Sequence, residues 1–235
     1  MKKLLEIGSG QGFNASLLAK KNNNKVVGID LSQEDVLISR KRYPHVRFEN
    51  MNAEKMKFKN DYFDEIYALD VLEHVNNLNK VLNEISRTLK TNGKAFINIP
   101  HYKSEAWLTR IRPSYFKEIH HVRVFKENEL DKLMLKRNLI LGKKIKTGFL
   151  HHVELYFLFK RNVHSKTQLS IGSWRDNFFT KSLHAFMLYF EPMVLNTPLV
   201  YFPIWILTIP IGSVINSIGN LFYPKSFYYT FIKTQ

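Results

Sequence analysis

The sequence predicts an α/β protein with a doubly wound sheet, mostly parallel with an antiparallel last strand, and an apolar α-helical appendage at the C-terminus. Three observations carry that reading. Short apolar strand segments alternate with helical segments from the N-terminus; a glycine-rich turn, Gly8-Ser9-Gly10-Gln11-Gly12, follows the first of them; and no charged residue occurs from Pro192 to Pro224. Alternation at this spacing implies right-handed crossovers and a parallel sheet, with ligands at the carboxyl ends of its strands.

Leu4 to Ile7 reads as a short buried strand, and Asn14 to Lys21 as the helix after the glycine-rich turn. Lys25 to Asp30 is a second strand. Ser32, with Asp35 three residues on, caps a helix running to about Tyr43. Val46 to Met51 and Phe63 to Leu69 are the third and fourth strands. Leu78, Val81, Leu82, Ile85 and Leu89 recur at helical spacing up to Gly93, read as the residue that ends the helix, and Ala95 to Ile99 is a fifth strand. Residues 127–138 form an amphipathic helix, and residues 139–147 and 153–160 are expected to be two closing strands.

This divides the chain into a catalytic domain over 1–160, a polar linker over 161–180 and an apolar helical tail over 181–235. The run from Pro192 to Pro224 spans 33 positions, long enough for a membrane helix, but Pro198, Pro203 and Pro210 interrupt it. Broken apolar helices carrying Tyr201, Trp205, Phe222 and Tyr223 fit an interfacial or re-entrant hairpin, since such aromatics favour the headgroup level. The other reading of the run is a hairpin packed on the domain or in a dimer interface.

Charge is uneven. The net charge is +15, and residues 101–180 carry 16 basic and 7 acidic side chains. Such a surface attracts phosphates on nucleic acid, on anionic lipid headgroups or on a lipid-linked diphosphate; the plainer reading is a solvated basic face. The chain has no cysteine, which excludes disulfides, thiolate metal sites, iron–sulfur clusters and a Cys nucleophile. The start, MKKLLEIGSGQG, reaches glycines after few apolar residues and reads as no signal peptide, so the catalytic part is expected in the cytoplasm, at the membrane face.

The glycine-rich turn reads G-x-G-x-G, with Phe13 where a dinucleotide-binding fingerprint would need its last glycine. Glycines here let the backbone approach a ligand and turn into a helix whose amides face it. Asp30 closes the next strand, 18 positions after Gly12, where a carboxylate can accept both hydroxyls of a ribose. Together these features define a nucleoside site. The alternative role for Asp30 is to cap the helix that begins after Ser32.

On LLEIGSGQG, VVGIDLS, NAEKMKF with YFDEIYALDVLEHV, LKTNGKAFINIP and HHVRVFKENELDKLMLKRNL, the chain resembles the class I methyltransferases, particularly the group that includes quinone-biosynthesis O-methyltransferases. The resemblance runs from Met1 to about Phe159. It implies a Rossmann-like fold and S-adenosylmethionine as cofactor. Glu6 and the backbone of Gly8, Gly10 and Gly12 would hold its methionine part, Asp30 its ribose, and Leu31 would lie against the adenine. Asn52 stands where relatives usually have Asp to bond the adenine amino group; its side-chain oxygen can still accept, with the Ala53 amide completing the contact. Leu69 matches the position whose backbone contacts the methionine amino end. His74 in VLEHV, beside Glu73, and His120 and His121 in HHVRVF are the candidates near the acceptor, where a neutral imidazole takes a proton from a hydroxyl. Alignment alone also accelerates such displacements, and His74 reads equally well as a hydrogen-bonded residue at a helix start.

Relatives usually carry one or two helices before the first strand. This chain starts on that strand, so the site is expected to be open, or covered by the tail, or the start to lie upstream. No metal is called for. The expected function is methyl transfer to a hydroxyl of a small molecule, lipid or lipid-linked glycan presented at the membrane. Nucleic acid is the rival substrate, but ALDVLEHV lacks the [DNS]-P-P-[YFW] motif of the amino-directed nucleic-acid branches. A second rival is a degenerate cofactor-binding membrane partner without catalysis.

Overall fold

The computed structural model describes residues 1–147, 218–221 and 224–235. The expected strand at 153–160, the linker at 161–180 and nearly all of the charge-free run lie outside the described residues. The chain falls into two compact units: Met1–Ile99 with Val122–Ile145 and Tyr228–Gln235, and Pro100–His121 with Lys146–Phe227.

The elements follow in order: β1 (Lys3–Ile7), α1 (Phe13–Lys20), β2 (Lys25–Asp30), α2 (Gln33–Arg42), β3 (Arg47–Asn50), β4 (Phe63–Leu69), α3 (Leu78–Thr88), β5 (Leu89–Pro100), α4 (Tyr102–Ile111), α5 (Tyr115–Glu118), α6 (Glu129–Leu135), β6 (Leu139–Thr147) and β7 (Ser226–Lys233). The strands form one sheet in the order β3-β2-β1-β4-β5-β7-β6. The pairs β2–β3, β1–β2, β1–β4 and β4–β5 are parallel. β7 runs the other way. Its start meets the end of β6 where the Lys225 amide donates to the Thr147 oxygen, and its end meets the start of β6 where Thr234 donates to the Asn138 oxygen. This is the Rossmann-like, mostly parallel sheet with antiparallel closing strands that the alternation predicts.

The core follows the sequence pattern. Leu4, Leu5 and Ile7 of β1 are fully buried, as expected for a strand with neighbours on both sides. Leu4, Ala15, Val26, Val36, Val46 and Phe48 form one apolar cluster between α1, α2 and the sheet. Helix α2 starts at Ser32, whose hydroxyl accepts the Asp35 amide at 3.1 Å, the cap read from the sequence. Along α3 the buried residues are Val81, Leu82, Ile85 and Thr88.

Three expectations change. Helix α3 ends at Thr88, not near Gly93, because the Asp61 and Tyr62 amides take the Arg87 and Thr88 carbonyls and Leu89 turns into the sheet. Two helices, α4 and α5, occupy a stretch to which the pattern assigned nothing. The largest correction concerns the C-terminus. Residues 226–233 are a strand and not part of a helical tail, so the sheet is completed by the last residues of the chain rather than ending by 160. From Phe227 on, the segment SFYYTFIK alternates, with Phe227, Tyr229 and Phe231 buried and Tyr228, Thr230 and Ile232 half-buried, a period of two in residues that favour strands.

Candidate functional site

The strand register places the candidate residues on one edge of the first unit. Ile7 is level with Ile29 and with Ala68, so the glycine turn after β1, Asp30 at the end of β2 and Leu69 at the end of β4 leave the sheet together. Asp30 is level with Asn50, which brings Met51, Asn52 and Ala53 alongside.

The three glycines do different work. All have positive φ, so each turn conformation disfavours a side chain. A Cβ on Gly8 would collide with Val71 Cγ2, and one on Gly12 would lie 2.6 Å from the Phe48 ring and 2.8 Å from Ser39 Cβ. Those two glycines are packing positions. A Cβ on Gly10 would meet nothing within 4 Å, so Gly10 is where backbone faces open space. Gly8 and Ser9 donate to the Ile29 carbonyl at 2.8 and 3.0 Å, which ties the turn to β2.

Asp30 organises this edge. One carboxylate oxygen accepts the Gly10 amide at 2.8 Å and the other accepts the Ser32 amide at 2.8 Å. The Asp30 side chain thus ties the glycine turn to Ser32, the residue that caps α2, and each of its oxygens keeps a further acceptor position. Asn50 holds the loop beyond, donating to the Asp30 and Leu31 carbonyls at 3.1 and 2.8 Å. Leu31 is 70% exposed. Ala53 is buried. The Asn52 side-chain oxygen accepts the Glu54 amide at 2.8 Å, so it closes its own turn.

Glu6 is 2% exposed, and one of its carboxylate oxygens has no hydrogen-bond partner among the described residues. Burial pushes its carboxyl up to about 8, against the opposing pull of hydrogen bonds from the Asn14 side chain and the Ala15 amide. The Ser9 hydroxyl is likewise buried without a hydrogen-bond partner among the described residues. A buried, unsatisfied carboxylate beside an open glycine is what an ammonium-bearing ligand fits.

The second candidate segment is anchored on the first. Leu69 is half-buried, and Asp70 follows it in the left-handed region with its amide on the Asn98 carbonyl. His74 is exposed, its amide donating to the Val71 carbonyl at 3.0 Å. Val122 donates to the Glu73 carbonyl at 2.9 Å, and the Arg123 guanidinium donates to the Leu72 and Asn76 carbonyls at 3.1 Å each. The chain just after His121 is therefore docked on the turn that carries His74.

The second unit holds its own polar cluster. His121 Nδ1 lies 2.8 Å from a carboxylate oxygen of Glu105, and the Tyr115 hydroxyl donates to the other oxygen at 3.3 Å. Glu105 is 3% exposed. His120, its neighbour, is exposed and left-handed, with φ 58°. The sequence reading missed Glu105 and Tyr115, because a pairing 16 positions apart through two short helices leaves no periodic signal.

Residues 5–97 match the family described as a methyltransferase domain. Over those residues the chain is similar to S-adenosylmethionine-dependent methyltransferases. It is 33% identical over 117 residues to a demethylmenaquinone methyltransferase of Chlorobaculum parvum, an alignment covering 50% of this chain and 48% of that one. It is 27% identical over 115 residues to a ubiquinone biosynthesis O-methyltransferase of Aeromonas salmonicida, covering 47% and 48%. The chain thus spans about half the length of the curated relatives it matches. Its fold is that of phosphoethanolamine N-methyltransferase 2 of Haemonchus contortus, solved with S-adenosyl-L-methionine, at TM-score 0.60 and 16% identity over 100% of this chain and 49% of that one.

The residues at this edge fit S-adenosylmethionine on three observations: the open face at Gly10, the Glu6 oxygen without a partner among the described residues, and the Asp30 carboxylate at the end of β2. Among the described residues no helix is long and apolar enough to cross a membrane.

Proposed function

We propose that this protein moves a methyl group from S-adenosylmethionine to a hydroxyl of a small-molecule, lipid or lipid-linked glycan acceptor at a membrane surface. The observation that carries the cofactor half is the Glu6 carboxylate, buried without a partner on one oxygen beside the glycine turn. Glu6 holds the amino end of the methionine part, the Gly10 backbone passes close to it, Asp30 takes the ribose hydroxyls and Leu31 covers the adenine. When bound, the cofactor supplies an electrophilic methyl group on a sulfonium; the acceptor oxygen bonds to that carbon as the carbon–sulfur bond breaks, leaving S-adenosylhomocysteine. The chain's own part is to align the acceptor and remove its proton, with His121, His120 and His74 as the candidate bases.

The lipid acceptor is supported by the quinone-pathway names of the curated relatives, and the membrane by the charge-free run from Pro192 to Pro224 following the basic stretch at 101–180. Anionic headgroups would meet the basic stretch. A second reading, a cofactor-binding member without catalysis, draws on Asn52, whose side-chain oxygen is engaged in its own turn.

The test is tritiated-methyl transfer by the purified full chain into separated lipid and aqueous extracts, alongside calorimetric titration of S-adenosylhomocysteine. Label in a base-stable ether of the lipid extract supports the proposal. Cofactor binding without transfer supports the second reading, and no binding at all removes both. Sedimentation with vesicles containing anionic lipid tests the membrane half.

A further inference from the structure

We propose that Glu84 and Arg87 of α3 are positioning residues for the loop between β3 and β4, residues 51–62, holding it where it reads the base of the nucleoside. Selectivity for adenine is then set from α3. This rests on the cofactor reading above and deepens it.

The loop starts at the ligand edge. The Met51 amide donates to the Asp30 carbonyl at 3.0 Å, and the Asn50 side chain donates to the Asp30 and Leu31 carbonyls, so the next residues stand beside the carboxylate assigned to the ribose. There the chain offers an acceptor next to a donor. Asn52 Oδ1 accepts the Glu54 amide at 2.8 Å and keeps a second lone pair, and among the described residues nothing accepts the Ala53 amide. Adenine carries the complementary pair on one edge, its 6-amino donor beside the N1 acceptor. Hypoxanthine reverses both, with a 6-oxo acceptor beside an N1–H donor.

Residues 51–62 belong to no helix or strand, so their placement depends on bonds from neighbouring elements. Helix α3 supplies them at two places. At its start the Asn77 amide donates to Glu54 Oε1 at 2.8 Å. Further along, Glu84 and Arg87 lie three positions apart and face the loop together. Glu84 Oε2 accepts the Met56 amide at 2.6 Å. Arg87 donates to the Met56 carbonyl at 3.0 Å, the Phe58 carbonyl at 2.7 Å and the Asn60 side-chain oxygen at 2.9 Å. Its Nε and Nη2 also close a two-bond pair with Glu84, at 2.7 Å each. Only the planar fork of a guanidinium reaches so many acceptors at once. The Arg87 bonds hold the Glu84 carboxyl below its ordinary range, so the pair stays ionised at neutral pH. A loop tied at residues 54, 56, 58 and 60 has little freedom left to lose when the ligand arrives.

The experiment uses the full chain as wild type, Arg87→Gln and Glu54→Ala, with S-adenosylhomocysteine and its inosine counterpart as probes. Calorimetry reads both affinities, hydrogen exchange reads the Glu54 and Met56 amides, and thermal melts read the fold. Wild type should prefer the adenine ligand by roughly tenfold or more, since the inosine edge leaves donor facing donor. Arg87→Gln should lower the adenine affinity roughly tenfold, in proportion to the time the loop spends out of place, and change the inosine affinity little. The preference then shrinks, and the Glu54 and Met56 amides exchange faster. Glu54→Ala, a milder loosening at the other tie, should move the same readouts the same way by less, and it carries the test if Arg87→Gln does not melt cooperatively. Equal weakening of both ligands overturns the proposal, since the pair then acts through the fold alone. So does a preference unchanged in the folded variants. A wild type that binds both ligands equally also overturns it, leaving the cofactor reading in place, whereas a wild type that binds neither removes the cofactor reading as well.

Discussion

Asp30 accepts the Gly10 amide at 2.8 Å, joining the end of β2 to the one glycine of the turn that faces open space. The same carboxylate accepts the Ser32 amide, so the glycine turn and the N-cap residue of α2 are held by a single side chain.

Asp30→Ala should therefore weaken S-adenosylhomocysteine binding and loosen the loop together. Losing hydrogen bonds made by a charged group costs about 1.5–3 kcal/mol, or roughly ten- to a hundredfold in affinity. Titration calorimetry reads the affinity, and hydrogen exchange at Gly10 and Ser32 reads the loop. Unchanged affinity would remove Asp30 from the site.

The glycines are expected to separate under substitution. Gly10→Val should abolish binding while the domain stays folded, since its Cβ enters open space at a backbone strain of about 1–3 kcal/mol. Gly12→Ala drives a methyl group toward Phe48 and Ser39 in the core and should lower the melting temperature more than Gly10→Val does. Thermal melts with and without S-adenosylhomocysteine distinguish the two. A Gly10→Val chain that is still stabilised by the ligand would show that this turn does not cradle it.

Glu6 predicts a pH dependence with a definite sign. Its carboxyl is raised in the folded protein to about 8, so between its ordinary range and that value the native chain holds a proton the unfolded chain has lost. Ligand-free stability from this group is full in acid and falls as pH rises through about 8. Glu6→Gln, neutral at every pH, should raise the ligand-free melting temperature by a few degrees on the alkaline side and change it little in acid, while weakening cofactor binding at least tenfold. In the wild type, uptake of the cofactor's ammonium should release a proton, measurable by calorimetry in buffers of different ionisation heat. No proton release on binding would mean that Glu6 does not hold the ammonium.

A chain cut at residue 160, where the sequence pattern alone ends the domain, should fail to fold. The cut removes β7, which lies between β5 and β6, and with it the buried Phe227, Tyr229 and Phe231, each contributing about 1.5–3 kcal/mol of burial. Circular dichroism and limited proteolysis of the cut and full chains decide this. A cooperative melt from the cut chain would show that β7 is dispensable.

The sequence by itself determined the first half of the sheet and its ligand edge. Strand β1, the Ser32 cap, the spacing of Val81, Leu82 and Ile85, and the pairing of a glycine turn with Asp30 are local signals. Each depends on residues a few positions apart or on the fixed length of one strand–helix–strand crossover. Only the tertiary structure assigned work among Gly8, Gly10 and Gly12, because what a Cβ would meet depends on Val71, Phe48 and Ser39 arriving from other elements. It alone paired Glu105 with His121, and it alone moved Ser226–Lys233 from tail to sheet. Strand β7 lies next to β5, and just past the end of β5 the His101 amide donates to the Lys225 carbonyl, 124 positions on; such a neighbour is chosen by which segment fills the gap in the sheet. Its own alternation permits the strand without saying where it pairs, since the period of two repeats in every half-buried strand alike.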